Sequence, residues 1–473
     1  ELLLAKSEVP MAQKIQVKSP YSQEIVGEFS PADFESVKNE LRDLHQAQVA
    51  WKKVPLKARI DAVRSALNYF TQNKMAIATD ITKQMGRPIS QSPGEINGLL
   101  ERANYLCDIA EEALSPMALP EKPGFERAIA REPLGVIFVI SAWNYPLLVT
   151  VNSVVPALLA GNTVLLKHSS QTPAIGVHFE KAFNSMMGVS HLVKHIVVDH
   201  STTGRIIEEL DVQHVVFTGS VSGGQQILKH TAKKFMQPQL ELGGKDAAYA
   251  AEDADIDAAA ATVVDGAMFN SGQSCCGIER AYVHKDVYDQ FIKRCIQVIS
   301  EYKLGDPLDE STNLGPLVTE KAARAAEKQI QAAVQKGAKI LAGGQVKKMG
   351  SGFFLEPTLM SDVKQNMELM QEENFAPILP VMPVSSMEEA LKLVNDSQYG
   401  LTSAIFTKDL QKAKQFAEAA QTGTVFMNRC DYLDPALPWT GVKNSGCGSA
   451  LSHLGFLSVT RAKALHFKLN KGG

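Results

Sequence analysis

The stretch Leu134-Gly135-Val136-Ile137-Phe138-Val139-Ile140-Ser141-Ala142-Trp143-Asn144-Tyr145-Pro146, with its continuation to Ala160-Gly161-Asn162-Thr163-Val164-Leu165-Leu166-Lys167, decides how this chain is built. Gly135 to Ile140 is apolar without alternation, as in a strand buried on both faces. Trp143 to Pro146 is a turn, and Leu147 to Ala160 is a mostly apolar helix that Gly161 and Asn162 stop. Thr163 to Lys167 is a second buried strand. The unit is β-α-β, so its strands are parallel and helices cover the sheet. No residue from Leu134 to Leu166 is charged, and the length alone would span a bilayer. Asn144, Pro146, Asn152, Pro156 and Asn162, and a periodicity that changes partway, argue against spanning.

The same rhythm runs on downstream. Helices over 174–187, 203–210 and 222–233 alternate with strands over 195–198, 212–217 and 239–242. A second α/β series follows, with strands at Arg280–His284, Lys339–Leu341, Pro377–Val384, Ser403–Thr407 and Thr424–Asn428 between helices. Upstream lie amphipathic helices over 31–53, 55–85 and 92–114. Pro116, Pro120 and Pro123 break the pattern before an extended, alternating arm at Phe125–Arg131. The tail from His453 to Lys468 alternates in the same way, and both arm-like segments suit pairing with another subunit's sheet edge. With 473 residues the chain exceeds a single core, and two or three domains are expected.

Composition excludes several classes of function. Net charge is −3 and the basic residues are dispersed, so neither nucleic acid nor an anionic membrane surface is implied. The 6 cysteines show no Cys-x-x-Cys and no Cys/His metal spacing, so no metal site is expected. Scattered cysteines in a long chain fit a reducing compartment, and the cytoplasm is the expected location. Residues 1–10 do not read as a signal peptide, and Met11 is an alternative start.

Two stretches bring chemistry to this frame. Phe269-Asn270-Ser271-Gly272-Gln273-Ser274-Cys275-Cys276 sets a thiol in a small, polar turn between a helix and a strand. Gly272, Ser274 and Gly277 leave little bulk around Cys275, so a substrate has room to approach. The bland alternative is an inert packing thiol, and Cys276 reads as one. Thirty-four residues upstream is Glu241, in Leu240-Glu241-Leu242-Gly243-Gly244-Lys245. A partly desolvated Glu takes a proton from water readily; the alternative is a carboxylate satisfied by Lys245 or Arg280. Thiol and buried carboxylate together suggest covalent catalysis with a general base. Asn144 is either an ordinary turn residue or an amide donor to an oxyanion. Phe217-Thr218-Gly219-Ser220-Val221-Ser222-Gly223-Gly224 is a strand, a small-residue turn and a helix start, where backbone N–H groups can hold a phosphate. A tight turn explains its glycines equally well. Lys167 at a strand end is a ribose ligand or a solvated lysine, and Glu373 is a ligand or simply exposed.

Together these pieces resemble the NAD(P)-dependent aldehyde dehydrogenase superfamily. The matching motifs run in the family's order: Trp143-Asn144-Tyr145-Pro146, Lys167-His168-Ser169-Ser170, Phe217-Thr218-Gly219-Ser220, Glu241-Leu242-Gly243-Gly244-Lys245, Gly272-Gln273-Ser274-Cys275, Glu372-Glu373-Asn374-Phe375-Ala376-Pro377 and Pro438-Trp439-Thr440-Gly441-Val442-Lys443. The resemblance covers nearly the whole chain. It implies an α/β fold with a Rossmann-like cofactor domain (1–119 and 135–242), an α/β catalytic domain (243–440) and a β oligomerisation arm (120–134 and 455–473). It implies Cys275 as nucleophile, Asn144 and the Cys275 N–H as oxyanion donors, and Glu241 as the base that activates the hydrolytic water. It implies NAD or NADP as cofactor, contacted by Trp143, Lys167, Ser170, Gly219, Ser220, Gly224, Glu373 and Phe375. It implies a small aldehyde as substrate and a homodimer or homotetramer as assembly.

Departures from the common pattern qualify the expectation. Ser170 stands where a Glu that repels a 2′-phosphate is frequent, so NADP becomes acceptable. Ala376 replaces a usual Gly and Asn374 a usual Ile or Val. Asn152 occupies the position where semialdehyde-type members carry an Arg, which argues against a simple dicarboxylic semialdehyde unless Arg429 or Arg280 supplies the charge. The loop from Asn428 to Leu437 is polar for a purely fatty substrate. The alternatives are a CoA-acylating enzyme, against which Glu241 counts, and a non-catalytic, cofactor-binding relative.

Overall fold

The computed structural model describes residues 14–430 and 432–469; the expectations placed on residues 1–10, Met11, Asp431 and 470–473 lie outside them. The chain opens with a hairpin, β1 (Ile15–Lys18) and β2 (Ile25–Phe29). Four helices follow: α1 (Phe34–Trp51), α2 (Leu56–Gln72), α3 (Lys74–Met85) and α4 (Ser92–Leu114). After β3 (Phe125–Pro133) come β4 (Val136–Ser141), α5 (Leu148–Leu159), β5 (Thr163–His168), α6 (Pro173–Phe183), β6 (Val193–His195), α7 (His200–Glu209), β7 (His214–Thr218), α8 (Val221–Thr231) and β8 (Gln239–Glu241). The second series is β9 (Asp246–Ala250), α9 (Ile256–Met268), β10 (Ile278–His284), α10 (Tyr288–Ile299), α11 (Glu320–Gln335), β11 (Lys339–Ala342), β12 (Val346–Met349), β13 (Gly352–Leu355), β14 (Thr358–Ser361), α12 (Glu368–Gln371), β15 (Ile378–Val384), α13 (Met387–Asn395), β16 (Thr402–Phe406), α14 (Leu410–Ala419) and β17 (Thr424–Met427). β18 (Gly446–Cys447), α15 (Ser452–Ser458) and β19 (Thr460–Lys468) close it.

The first sheet has the order β18-β8-β7-β4-β5-β6, parallel except for β18. β4 and β5 are buried at every position, as their unbroken apolar runs require. From β4 the chain winds outward through β5 and β6, then returns to place β7 on the other flank of β4. That reversal opens a crevice at the carboxyl ends of β4 and β7, the usual ligand position in open α/β sheets. The second sheet, β11-β14-β15-β10-β9-β16-β17, is parallel apart from β11. Separate apolar clusters cover its two faces, one around Tyr249 and Phe416, the other around Phe291 and Leu379. The architecture is mixed α/β with Rossmann-like parallel sheets. Among the described residues no helix is long and apolar enough to cross a membrane.

Two elements differ from the reading of the sequence, and one pairing adds to it. The helix expected over 55–85 is two helices, because Asn73 leaves helical geometry (φ −105°, ψ 16°); its backbone N–H and its side-chain Nδ2 both donate to the Tyr69 carbonyl, at 3.0 and 2.8 Å. The tail does not begin as an extended arm: Ser452, Gly455 and Phe456 are buried on one side of the short α15. A run this short carries both periodicities, and packing against α4 and α5 selects the helix. The two arm-like segments, finally, pair with each other, β3 against β19 from Phe125–Lys468 to Pro133–Thr460.

Candidate active site

The candidate residues lie at strand ends, and the sheet order explains why they meet. Trp143 and Asn144 follow β4, Lys167 ends β5, Gly219 and Ser220 follow β7, and Glu241 ends β8. All sit at the carboxyl edge of the first sheet. The chain then crosses in one short segment, Leu242 to Lys245, into β9. Cys275 precedes β10 and Glu373 precedes β15, so both lie at the amino edge of the second sheet. β9 and β10 run parallel, with Ile278 opposite Asp246. This register carries the Cys275 segment alongside the Glu241 segment and turns their separation in sequence into proximity. Lys245 and Glu279 are also 34 residues apart, and their Nζ–Oε2 distance is 2.6 Å.

The Cys275 turn is held in an unusual conformation. Asn270 and Ser271 have φ of 54° and 57°, in the left-handed region that residues with a Cβ seldom adopt. Asn270 compensates through its side chain: Nδ2 donates to the carbonyls of Gln273 and Asn144, each at 3.1 Å. Arg87, fully buried, donates Nε to Asn270 Oδ1 at 3.0 Å, Nη2 to the Asn144 carbonyl and Nη1 to Glu95. Glu95 accepts from the N–H groups of Leu147 and Leu148 at 2.7 and 3.1 Å, which holds the start of α5. One buried network therefore ties the Cys275 turn to the Asn144 turn. Asn144 is 4% exposed, and its side-chain amide makes no hydrogen bond to the described residues. Cys275 itself is partly exposed and lines a cavity of about 420 Å³ with Glu241, Tyr145, Leu433 and Trp439. Cys276 is buried in the adjoining apolar core, as a structural thiol would be, although it too borders this cavity.

Gly243 and Gly244 form the crossing point. A Cβ on Gly243 would lie 2.6 Å from Glu373 Oε1, and one on Gly244 would lie 2.3 Å from the Cys275 carbonyl. Only a pair without side chains lets both partners close in. Gly272 is constrained similarly: its φ is 70°, and a Cβ would meet the Ala376 carbonyl at 2.3 Å. Glu373 Oε1 accepts the Gly244 N–H at 2.9 Å. Its pKa is pushed up to about 7 by burial and by the neighbouring Glu279 carboxylate. Glu279 accepts the N–H groups of Asn374 and Phe375 and pairs with Lys245, so the Glu373 loop is fastened to the Gly-Gly-Lys segment.

Glu241 pairs with neither Lys245 nor Arg280. Its oxygens accept from Gln239 Nε2 at 3.1 Å and Thr218 Oγ1 at 3.3 Å. Burial is the dominant influence and pushes its pKa up to about 7, against the pull of these hydrogen bonds and of Arg102. Lys245 is used by Glu279, and Arg280 donates to the carbonyls of Lys245, Leu393 and Val394.

The residues implied for cofactor contact fall in three groups. Trp143 and Phe375 meet edge to face, their centroids 5.8 Å apart. Lys167 is buried, and desolvation holds its pKa below the usual lysine range. The next residue, His168, bonds the Pro146 carbonyl and Thr172, tying this strand end to the Asn144 turn; burial depresses its pKa to about 4 and keeps it neutral. Ser170 is exposed. Ser220 caps α8 by accepting the Gly223 N–H at 3.1 Å, and the Gly219 N–H bonds the Glu241 carbonyl at 3.0 Å. Gly224 is buried one turn into α8, facing Leu242. The crevice, the buried cation and the open helix start fit a dinucleotide.

Sequence reasoning missed Arg87, Glu95, Asn270 and Glu279, because charged and amide side chains read as solvated when their partners are remote in sequence. It also missed Arg102, which lines the cavity from α4. The two arginines it offered for a substrate charge lie elsewhere: Arg280 is engaged by backbone carbonyls, and Arg429 is exposed, stacked 4.0 Å from the Tyr432 ring centroid.

The model of the aldehyde dehydrogenase family matches residues 8–465. The chain is 34% identical over 445 residues to the succinate-semialdehyde dehydrogenase (NADP+) of Deinococcus radiodurans, across 94% of this chain and 93% of that protein. It is 31% identical over 441 residues to the lactaldehyde dehydrogenase of Escherichia coli, across 92% and 91%. The solved structure of PnpE in complex with nicotinamide adenine dinucleotide matches with a TM-score of 0.93 and 30% identity, over 97% of this chain and 95% of that one.

Proposed function

The chain belongs to the aldehyde dehydrogenase family and is an NAD(P)-dependent enzyme that oxidises an aldehyde to a carboxylic acid, and from that premise we propose that Cys275, Asn144 and Glu241 carry the reaction. The supporting observation is a single cavity lined by both the partly exposed Cys275 thiol and the buried Glu241 carboxylate. As thiolate, Cys275 Sγ attacks the aldehyde carbon; a C–S bond forms and the carbonyl electron pair moves to oxygen. The Asn144 side-chain amide and the Cys275 N–H donate to that oxyanion, Asn144 being fixed from behind by Arg87 and Asn270. Bound NAD(P)+ would supply the hydride acceptor, so that the oxyanion's electron pair could re-form the carbonyl and leave a thioester on Cys275. The Cys275 thioester is then opened by water: Glu241 takes the proton, the new C–O bond forms and the C–S bond breaks. A base with a pKa near 7 is well matched to that step.

Trp143, Lys167, Gly219, Ser220, Glu373 and Phe375 would hold the dinucleotide along the carboxyl edge of the first sheet. Lys167 offers a cation, and exposed Ser170 places no negative charge in the way of a 2′-phosphate, so we assign NADP as well as NAD. We also divide the chain into a cofactor domain (1–119, 135–242), a catalytic domain (243–440) and an arm (120–134, 455–473). Two paired strands are marginal as an isolated ribbon, so a second copy covering β3 and β19 is the proposed assembly, a homodimer or homotetramer. Free cysteines throughout the described residues suit the cytoplasm.

The test is the initial rate of NADH and NADPH formation from a short aldehyde by the native enzyme and by Cys275→Ala. Loss of turnover in the variant with retained NAD(P)H binding is expected. Undiminished turnover in Cys275→Ala rejects the assignment.

A further inference from the structure

The cavity in front of Cys275 contains a positive charge that the proposed chemistry does not use. Arg102, on α4, is 7% exposed. Among the described residues it makes one hydrogen bond, Nη1 to Asn152 Oδ1 at 3.2 Å, and no ion pair. Its remaining N–H donors open onto the cavity that it lines together with Cys275 and Glu241. The contrast with its neighbours is informative. Arg87, in the same cavity wall, is matched by Glu95, and Arg64 on the surface is matched by Asp108. A buried guanidinium whose one hydrogen-bond partner is neutral is costly to the fold: Cys276, Glu95, Glu241 and Glu101 act on Arg102 only through space, and burial outweighs them. Folded proteins keep such a group where a ligand completes it, and the planar fork of arginine matches a carboxylate in two-point geometry.

The acidic groups that share the cavity do not satisfy Arg102. Glu95 is engaged by Arg87 and by the start of α5. Glu101 is exposed at the rim, where it accepts the Tyr432 hydroxyl at 2.6 Å. Glu241 is held by Gln239 and Thr218 on the sheet side. Asn152 steers the guanidinium from the adjacent helix α5 and leaves its outer face free.

We propose that Arg102 is a specificity-determining residue and that the aldehyde this enzyme takes carries an anionic group, a carboxylate, which Arg102 binds while the aldehyde carbon faces Cys275. This proposal rests on Cys275 as the reacting residue. It names a substrate class that neither Arg280 nor Arg429 is placed to recognise.

The test compares 4-oxobutanoate with butanal, which share a four-carbon chain and differ in the terminal charge. In the native enzyme kcat/KM favours 4-oxobutanoate. In Arg102→Met the ratio of the two kcat/KM values falls about 10- to 100-fold, the range for one charge-assisted hydrogen-bonded pair. The loss appears chiefly in KM. Arg102→Lys, which keeps the charge without the fork, retains part of the preference. An unchanged ratio in Arg102→Met overturns the proposal, as does a native enzyme that turns over butanal at least as well. A second measurement needs no variant: butanedioate inhibits the native enzyme competitively against aldehyde more strongly than butanoate does. Equal inhibition by the two acids overturns the proposal as well. If butanal is oxidised by a Cys275-dependent reaction while the charge preference is absent, Arg102 fails and the catalytic reading stands; if neither aldehyde reacts, the catalytic reading fails first.

Discussion

Glu241 combines a functional and a destabilising role in one side chain. Burial raises its pKa from an ordinary 4.5 to about 7. A raised folded-state pKa means that the native state prefers the protonated form. The stabilisation is complete below the unfolded value of 4.5 and is lost as pH rises through 7. At pH 8 the folded protein therefore holds a desolvated charge at a cost of as much as ~3 kcal/mol. Glu241→Gln removes that charge and should raise the thermal midpoint at pH 8, with the gain shrinking as pH falls through 7. The native enzyme should show a rise in steady-state turnover with an apparent pKa near 7, and the same substitution should remove it. Calorimetry and a pH–rate profile check both. A variant less stable than the native protein at pH 8 contradicts this account of the site. The identity of Glu241 as the unusual carboxylate was legible in the sequence, since it stands in an apolar strand ending in Gly243-Gly244. Its partner Thr218 was not, because Thr218 is an ordinary strand residue until β7 and β8 pair.

At the scale of elements, the segment between β8 and β9 is the joint of the molecule. Gly243 and Gly244 let Glu373 and the Cys275 backbone approach from opposite sides. Gly244→Ala would drive a methyl group into the Cys275 carbonyl, and a misplaced nucleophile loses about 100-fold in kcat. Thermal unfolding should shift by only a few degrees, since the core clusters on both sheets are untouched. Kinetics near the native rate would show that the turn yields and that the crossing is not tightly set. The β-α-β rhythm was readable because buried parallel strands are largely apolar runs, and β4 and β5 emerge where such runs stand. The break at Asn73 and the helical start of the tail were not readable, because the backbone geometry of one residue and a packing contact decided them. Sheet order was equally hidden. Nothing in the sequence of β7 says that it flanks β4, yet that placement creates the crevice.

For the whole molecule, the ribbon of β3 and β19 is the feature left incomplete in a single chain. Phe467 is 51% exposed on it, and no second layer covers it among the described residues. Deleting the chain after Val459 should therefore reduce the assembly to a single-chain species by light scattering, whereas an unchanged mass would place the interface elsewhere. All three parts converge on one claim: that Cys275, carried by the second sheet, is acylated by an aldehyde bound beside Asn144 and Glu241, carried by the first. Glu241→Gln slows the hydrolytic step and leaves the earlier ones in place. Mixing this variant with butanal and NADP+, quenching in acid and mapping peptides by mass spectrometry reads the intermediate directly. The account predicts a butanoyl adduct on Cys275, formed together with about one equivalent of NADPH per active site. NADPH formed with no adduct, or an adduct on Cys276 or another cysteine, would contradict it.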